Sequence, residues 1–210
     1  MNYGDVALGI ECAFPPVGTP VRKKRLLPWI AAILALAGAF QFGQGAWIYA
    51  KAQLAQVLLE RAWQRTLAGE TAVKPWPWAD TWPVARLIAP AQRIDLLVLA
   101  GANGRSIAFG PGHMDGTPLP GGRGNSVIGG HRDTHLAFLR DVKRGETFTV
   151  ERADGKRTDY LVTDLDVLDE RDTWVTKNEG PSRLTLITCW PFDALRAGGP
   201  ERYVVIAKKL

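Results

Sequence analysis

Cysteine is scarce in this chain. There are two in 210 residues, Cys12 and Cys189, beside two methionines and three histidines. Two cysteines build no disulfide-stapled framework, and three histidines leave few ligands for a metal centre. Neither sign of charge dominates. The formal net charge is +5, but Arg22, Lys23, Lys24 and Arg25 form one cluster near the N-terminus, and residues 26–210 carry 22 basic and 19 acidic side chains. Without a basic stripe interleaved with aromatics, nucleic acid is set aside as a partner. No internal repeat is present. The glycines of 121–130 have neither dinucleotide nor P-loop spacing and read as turn residues, so no cofactor is expected. The chain is nevertheless 46% apolar and 22% charged, which excludes wholesale disorder and provides enough surface to bury in a folded domain.

Charge is missing altogether from Leu26 to Ala50, LLPWIAAILALAGAFQFGQGAWIYA. A helix of that length exceeds the ~30 Å hydrocarbon core of a bilayer, and Trp29, Trp47 and Tyr49 occupy the positions of interfacial aromatics. The basic cluster just before it is the usual cytoplasmic flank. Residues 1–25 are therefore expected in the cytoplasm, 26–50 as a transmembrane signal anchor, and everything after about residue 50 outside. Ala50-Lys51-Ala52 resembles a small-x-small cleavage site; the length of the span and the helical pattern continuing through it favour an uncleaved anchor. Cys12 and Cys189 then lie on opposite sides of the membrane and do not pair. A lone exported thiol is either buried and inert or kept for its reactivity.

Leu54, Leu58 and Ala62, flanked by Ala55, Leu59 and Trp63, recur at helical spacing opposite Glu60, Arg61 and Arg65, predicting an amphipathic helix that ends near Gly69. Prolines at 75, 77 and 83 make the segment 70–83 an extended linker, whose Trp76, Trp78 and Trp82 either cover the core of the next domain or rest against the bilayer. Residues 84–210 read as one domain. Strand-like runs at 84–89, 93–100, 105–109, 125–131, 146–152, 158–167, 183–189 and 202–208, separated by Gly/Pro turns, point to a closed barrel or sandwich. A short helical stretch is expected around 135–142, with Leu136, Leu139 and Val142 facing inward.

Cys189 ends the run Leu184–Cys189. Alternation groups it with Thr185 and Ile187 and places Leu184, Leu186 and Thr188 on the other face, and Pro191 stops the ladder just beyond it. His131 ends the run Asn125–His131, behind Gly129-Gly130. An imidazole beside a thiol promotes the thiolate and returns the proton to a leaving amine. Arg202 opens the last strand, and if that strand neighbours 183–189 its guanidinium stabilises oxyanion charge or holds the substrate carbonyl. The three together form a coherent acyl-transfer set. A metal site built on His131, His135, His113 and Cys189 is disfavoured, because histidines four apart share a face only on a helix. The acidic residues Asp164, Asp166, Asp169, Glu170 and Asp172 lack EF-hand spacing and read as a solvated loop.

Thr185-Leu186-Ile187-Thr188-Cys189, with Arg202 downstream and Gly130-His131 upstream, resembles the active-site signature of sortases, membrane-anchored cysteine transpeptidases. The run from Gly110-Pro111-Gly112-His113 to His131-Arg132-Asp133 is similar to the segment that leads into the catalytic histidine there, although Met114-Asp115-Gly116 departs from the commoner Tyr-Pro-Gly. Cys189-Trp190-Pro191-Phe192-Asp193 and Gly198-Gly199-Pro200 look most like the Gram-negative branch. The resemblance implies a mainly β fold, an eight-stranded sortase-like β-barrel with short helices, preceded by the transmembrane and amphipathic helices. It implies that Cys189 attacks a Thr–Gly bond in an LPXTG-like C-terminal sorting signal, that an amine acceptor of the cell envelope resolves the thioester, and that the site faces away from the cytoplasm on the bacterial inner membrane. By position, Cys189 is the nucleophile, His131 the general acid/base and Arg202 the substrate and oxyanion stabiliser. Thr188, His113, Asp133 and Trp190 are candidate substrate contacts; no metal is expected. The competing reading is a non-catalytic, membrane-tethered β-barrel binding module.

Overall fold

The computed structural model describes residues 26–194, 196 and 198–210; the expected cytoplasmic tail 1–25, with Cys12, lies outside the described residues. The chain divides into two compact units, Met1–Ala46 and Trp47–Leu210. Helix α1 (Leu26–Leu67) runs unbroken through the charge-free stretch and the amphipathic segment. It is long and apolar enough to cross a membrane. From Leu26 to Leu54 every residue is exposed. Beyond that, Ala55, Leu59, Ala62, Trp63 and Thr66 form a buried stripe at the three-to-four spacing of one helix face. Leu54, grouped with that face by its sequence spacing, stays exposed.

Eight strands follow: β1 (Pro83–Ala89), β2 (Ile94–Ala100), β3 (Gly112–His113), β4 (Asn125–Gly129), β5 (Thr147–Arg152), β6 (Arg157–Asp169), β7 (Arg183–Cys189) and β8 (Glu201–Lys209). They close into a barrel in the order β1-β2-β3-β4-β7-β8-β6-β5, leaving no sheet edge between first and last strand. Alternation fills the interior. Ala85, Leu87 and Ala89 of β1 point inward with Phe148, Val150, Tyr160, Val162, Leu184, Leu186, Val205 and Ala207, while Arg86 points out to Glu60 of α1 (2.8 Å) and Asp95 of β2 (2.7 Å). A 3-10 turn at Ala137–Asp141 plugs the barrel with Leu136, Leu139 and Val142, as its sequence pattern predicts.

One expected strand is absent. Residues 105–109 contain instead a 3-10 turn, Ser106–Ala108, because the Asn103 carboxamide accepts bonds from the amides of Arg105 and Ser106 (both 3.1 Å), a local pairing that competes with a ladder. The strand at this point of the barrel is the short β3, in a stretch whose composition reads as a turn. A Cβ on Gly112 would lie 2.2 Å from the Gly101 carbonyl oxygen, so glycine alone permits the approach of β2 and β3.

Candidate active site

Two register relations assemble the site. β4 and β7 run parallel with Gly129 opposite Ile187; two residues further along each chain come His131 and Cys189. On the other side β7 pairs antiparallel with β8, and Cys189 lies directly opposite Arg202, where Cα atoms are ~4.5–5.5 Å apart and side chains share a face. Cys189, a free and half-buried thiol, thus stands between the histidine segment and the arginine. The same alternation sends Leu184 and Leu186 into the core, while Ile187 and Cys189 remain half-exposed.

The histidine loop is held by its neighbours. The Gly130 amide donates to the Ile187 carbonyl (3.2 Å), and a Cβ at Gly130 would sit 2.9 Å from Leu136 Cγ; the second glycine before His131, not Gly129, is the one that packing requires. Arg132 is buried, and its Nη2 donates to the carbonyls of Ala194 and Arg196 (3.1 and 2.7 Å), clipping the β7–β8 loop to the residue after His131. His135 is half-buried, and burial, with the neighbouring His131 charge adding to it, holds its imidazole below the ordinary 6.5.

Arg202 is tethered. Nη1 donates to the carbonyls of Gly199 (2.7 Å) and Glu201 (2.9 Å), and Nη2 to the Glu170 carboxylate. Of its five N–H donors, one on Nη2 and the one on Nε remain for a ligand. Composition groups Glu170 with a solvated acidic loop; it is instead the counterion of Arg202, a pairing invisible in a sequence separation of 32 residues. Beside it Asp169 is pulled down to about 2, chiefly by the Arg171 side chain and then its backbone amide, with a smaller contribution from Arg202.

Two grooves lie on opposite faces of β8, one taking Arg202 and Val204 and the other Tyr203, as strand alternation directs. On the Arg202 face a cleft of about 150 Å³ is lined by Met114, Leu168, Asp169, Glu170, Thr173, Val175, Ile187, Arg202 and Val204. Its outer wall is the 3-10 turn Thr173–Thr176, packed through Val175 onto Val204 and Ile206. That wall is tied to the sheet by Asn125, fully buried, whose amide nitrogen donates to the Val175 carbonyl (2.6 Å) and whose carbonyl accepts from the Thr185 hydroxyl (2.7 Å). Neither Asn125 nor Arg132 stands out by sequence as a supporting residue; buried polar residues beside an active-site strand leave no signal in a single chain. On the Tyr203 face a groove of about 480 Å³ is lined by Arg140, Trp190, Pro191, Phe192, Asp193 and Tyr203. Trp190 stacks on Tyr203 at 5.5 Å, and Phe192 meets both edge-on.

The remaining candidates separate. Trp190 belongs to that aromatic groove, and Asp133 is exposed two residues past His131. Thr188 is 3% exposed, and its hydroxyl donates to the Gly130 carbonyl (2.8 Å), tying β7 to the histidine segment. His113 is likewise buried, its Nε2 within hydrogen-bonding distance of the Pro118 carbonyl (3.0 Å) and the Thr117 hydroxyl (3.1 Å), and it braces the β3–β4 loop.

The family model described as Sortase domain matches residues 87–210. Sortase D of Bacillus subtilis is 26% identical over 122 residues, 58% of this chain and 61% of the relative; Sortase A of Listeria monocytogenes is 30% identical over 110 residues, 50% of this chain and 49% of the relative. The matched stretches thus span between half and three fifths of those relatives. Among solved structures, sortase C-1 of Actinomyces oris superposes with a TM-score of 0.55 at 29% identity, covering 61% of this chain and 74% of that one. The catalytic domain of SrtD from B. anthracis gives 0.52 at 32%, covering 61% and 87%.

Proposed function

From the premise that the chain belongs to the sortase family, we propose that it is a membrane-anchored cysteine transpeptidase acting on an LPXTG-like C-terminal sorting signal. The observation that carries this reading is the placement of Cys189 between the end of the histidine strand and Arg202, directly across the β7–β8 ladder. The peptide lies in the cleft walled by the Thr173–Thr176 turn. Cys189 Sγ attacks the Thr carbonyl carbon of the Thr–Gly bond, and the free Nε and Nη2 donors of Arg202 stabilise the oxyanion. His131 delivers a proton to the departing glycine nitrogen, and the C–N bond breaks to leave a thioester on Cys189. An amine of the cell envelope then attacks the thioester carbonyl, losing its proton to His131. The new amide forms and the sulfur leaves as thiolate, so no oxidant or cofactor is consumed.

Leu26–Ala50 is the single-pass anchor in the bacterial inner membrane, with residues 1–25 cytoplasmic, 51–83 as helix and linker, and the barrel of 84–210 facing outward. The test is incubation of the full chain in detergent with LPXTG-type peptides, reading the mass of Cys189. An acyl adduct ending in threonine is expected. An unmodified thiol together with retained peptide binding would reassign the barrel as a binding module. Activity is expected to follow a bell-shaped pH profile belonging to the Cys189–His131 pair; a single rising limb unaffected by removal of His131 would contradict the roles of both residues.

A further inference from the structure

We propose that the groove beside the second half of α1, lined by Leu54, Leu58, Trp76, Trp78 and Phe109, is a membrane-docking site that takes the interfacial layer of a phospholipid leaflet. It rests on the reading of Leu26–Ala50 as a bilayer span.

The groove encloses about 590 Å³. Its floor is built: Trp76 meets Phe109 edge-on at 5.1 Å, and Gln56 Nε2 donates to the Phe109 carbonyl (2.9 Å), fixing that loop against the helix. Its mouth is left unfinished. Trp78 is 81% exposed and Leu54 57% exposed, two apolar side chains at the same groove mouth. The linker prolines at 75 and 77 bracket Trp76 and fix the backbone φ on either side of it.

Connectivity and charge identify the occupant. Lys51 is the first charged residue after the apolar run; its ammonium lies 5.4 Å over the Trp47 ring, and it makes no ion pair among the described residues. Leu54 lies four residues past Ala50, ~6 Å further along a helix axis, against a headgroup layer ~5–8 Å deep on each side of the hydrocarbon. The groove mouth therefore opens at the depth where tryptophan partitions best, with an apolar body and an N–H for the wet side. Around it, Arg105 is paired to Asp80 at 3.2 Å, which leaves Lys51 as the uncompensated charge, suited to lipid phosphate. Docking at this groove fixes the barrel at a set height above the bilayer.

The experiment places the full chain in nanodiscs of phosphatidylcholine and phosphatidylglycerol, with and without bromine on the acyl chains, as wild type and Trp78→Phe. The wild-type-minus-variant emission isolates Trp78 from the seven other tryptophans. Expected is the loss of most of that difference emission in brominated discs, and its partial recovery in Lys51→Gln. Difference emission untouched by bromine overturns the docking site. If it shifts to the blue with chain concentration instead, the groove takes a second copy of this chain and the proposal is equally overturned. Alkaline carbonate extraction reads the anchor separately: a chain that is released refutes the span, whereas a chain that is retained with unquenched Trp78 refutes only the docking.

Discussion

The two grooves on either face of β8 are built by different physics. On the Arg202 face the cleft is narrow, and its wall is a short turn held from behind by one buried amide, Asn125, and by Val175 seated on Val204 and Ile206. Its polar groups are committed: Arg202 to Glu170, Asp169 to Arg171. On the Tyr203 face the groove is wide and its walls are rings, Trp190, Phe192 and Tyr203, with the Arg140 guanidinium 5.2 Å over Phe192. A narrow cleft with directed donors suits an extended peptide whose carbonyl must be oriented. A broad aromatic groove discriminates less by hydrogen bonding, and suits an acceptor that enters after the first product leaves. The proposed function would put the peptide in the first groove and the acceptor in the second, and that division can be broken at several points.

The largest effect is expected at the shared centre. Cys189→Ala removes the nucleophile common to both flanks, and peptide cleavage should fall by more than about 10⁴-fold while the thermal midpoint barely moves; retained turnover would show that some other group attacks. Next is Arg202→Gln, which strips the oxyanion donors and should lower kcat/KM for peptide by roughly 10²–10³-fold. Its counterpart Glu170→Gln frees the guanidinium from its tether and should change kcat by only a few-fold, so equal losses in the two variants would mean that Arg202 serves as a structural ion pair.

Asn125→Ala leaves the Val175 carbonyl and the Thr185 hydroxyl buried without their partner, and should cost about 1–3 kcal/mol in chemical denaturation. Because Asn125 supports only the peptide flank, KM for the peptide should rise with the ratio of transfer to hydrolysis unchanged. Trp190→Ala should do the reverse. Loss of its stacking on Tyr203, worth about 0.5–1.5 kcal/mol beyond area in such pairs, should lower transfer relative to hydrolysis by several-fold at unaltered acylation rate. If both variants shift the same step, the division between flanks fails.

The smallest effect is one of pH. Asp169 is held at about 2 against an ordinary 3.8 by its bonds from Arg171. A carboxylate depressed in the folded state contributes stability fully present above its unfolded value and lost as pH falls through the folded one. The wild-type thermal midpoint should thus decline between about pH 4 and 2, and Asp169→Asn should flatten that limb.

The helix, the barrel class and most strands were legible because each rests on local periodicity: a charge-free run, a 3.6-residue stripe, alternation bounded by glycine and proline. Residues 105–109 misled because Asn103 rewards a local turn there, and β3 was hidden because only the approach of Gly112 to Gly101 makes it a strand. Thr188 shows the limit at the site itself: no local pattern reveals that its hydroxyl bonds the Gly130 carbonyl, 58 positions away.

Composition and order along the chain therefore determined that an apolar helix precedes a β domain and that a thiol, an imidazole and a guanidinium end separate strands. Tertiary structure alone decided that a parallel pairing of β4 with β7 and an antiparallel pairing of β7 with β8 bring those ends side by side, which donors of Arg202 stay free, and which face of α1 is left uncovered. Strand register and the partners of buried polar groups depend on contacts between residues tens of positions apart, and no local pattern of side chains encodes them.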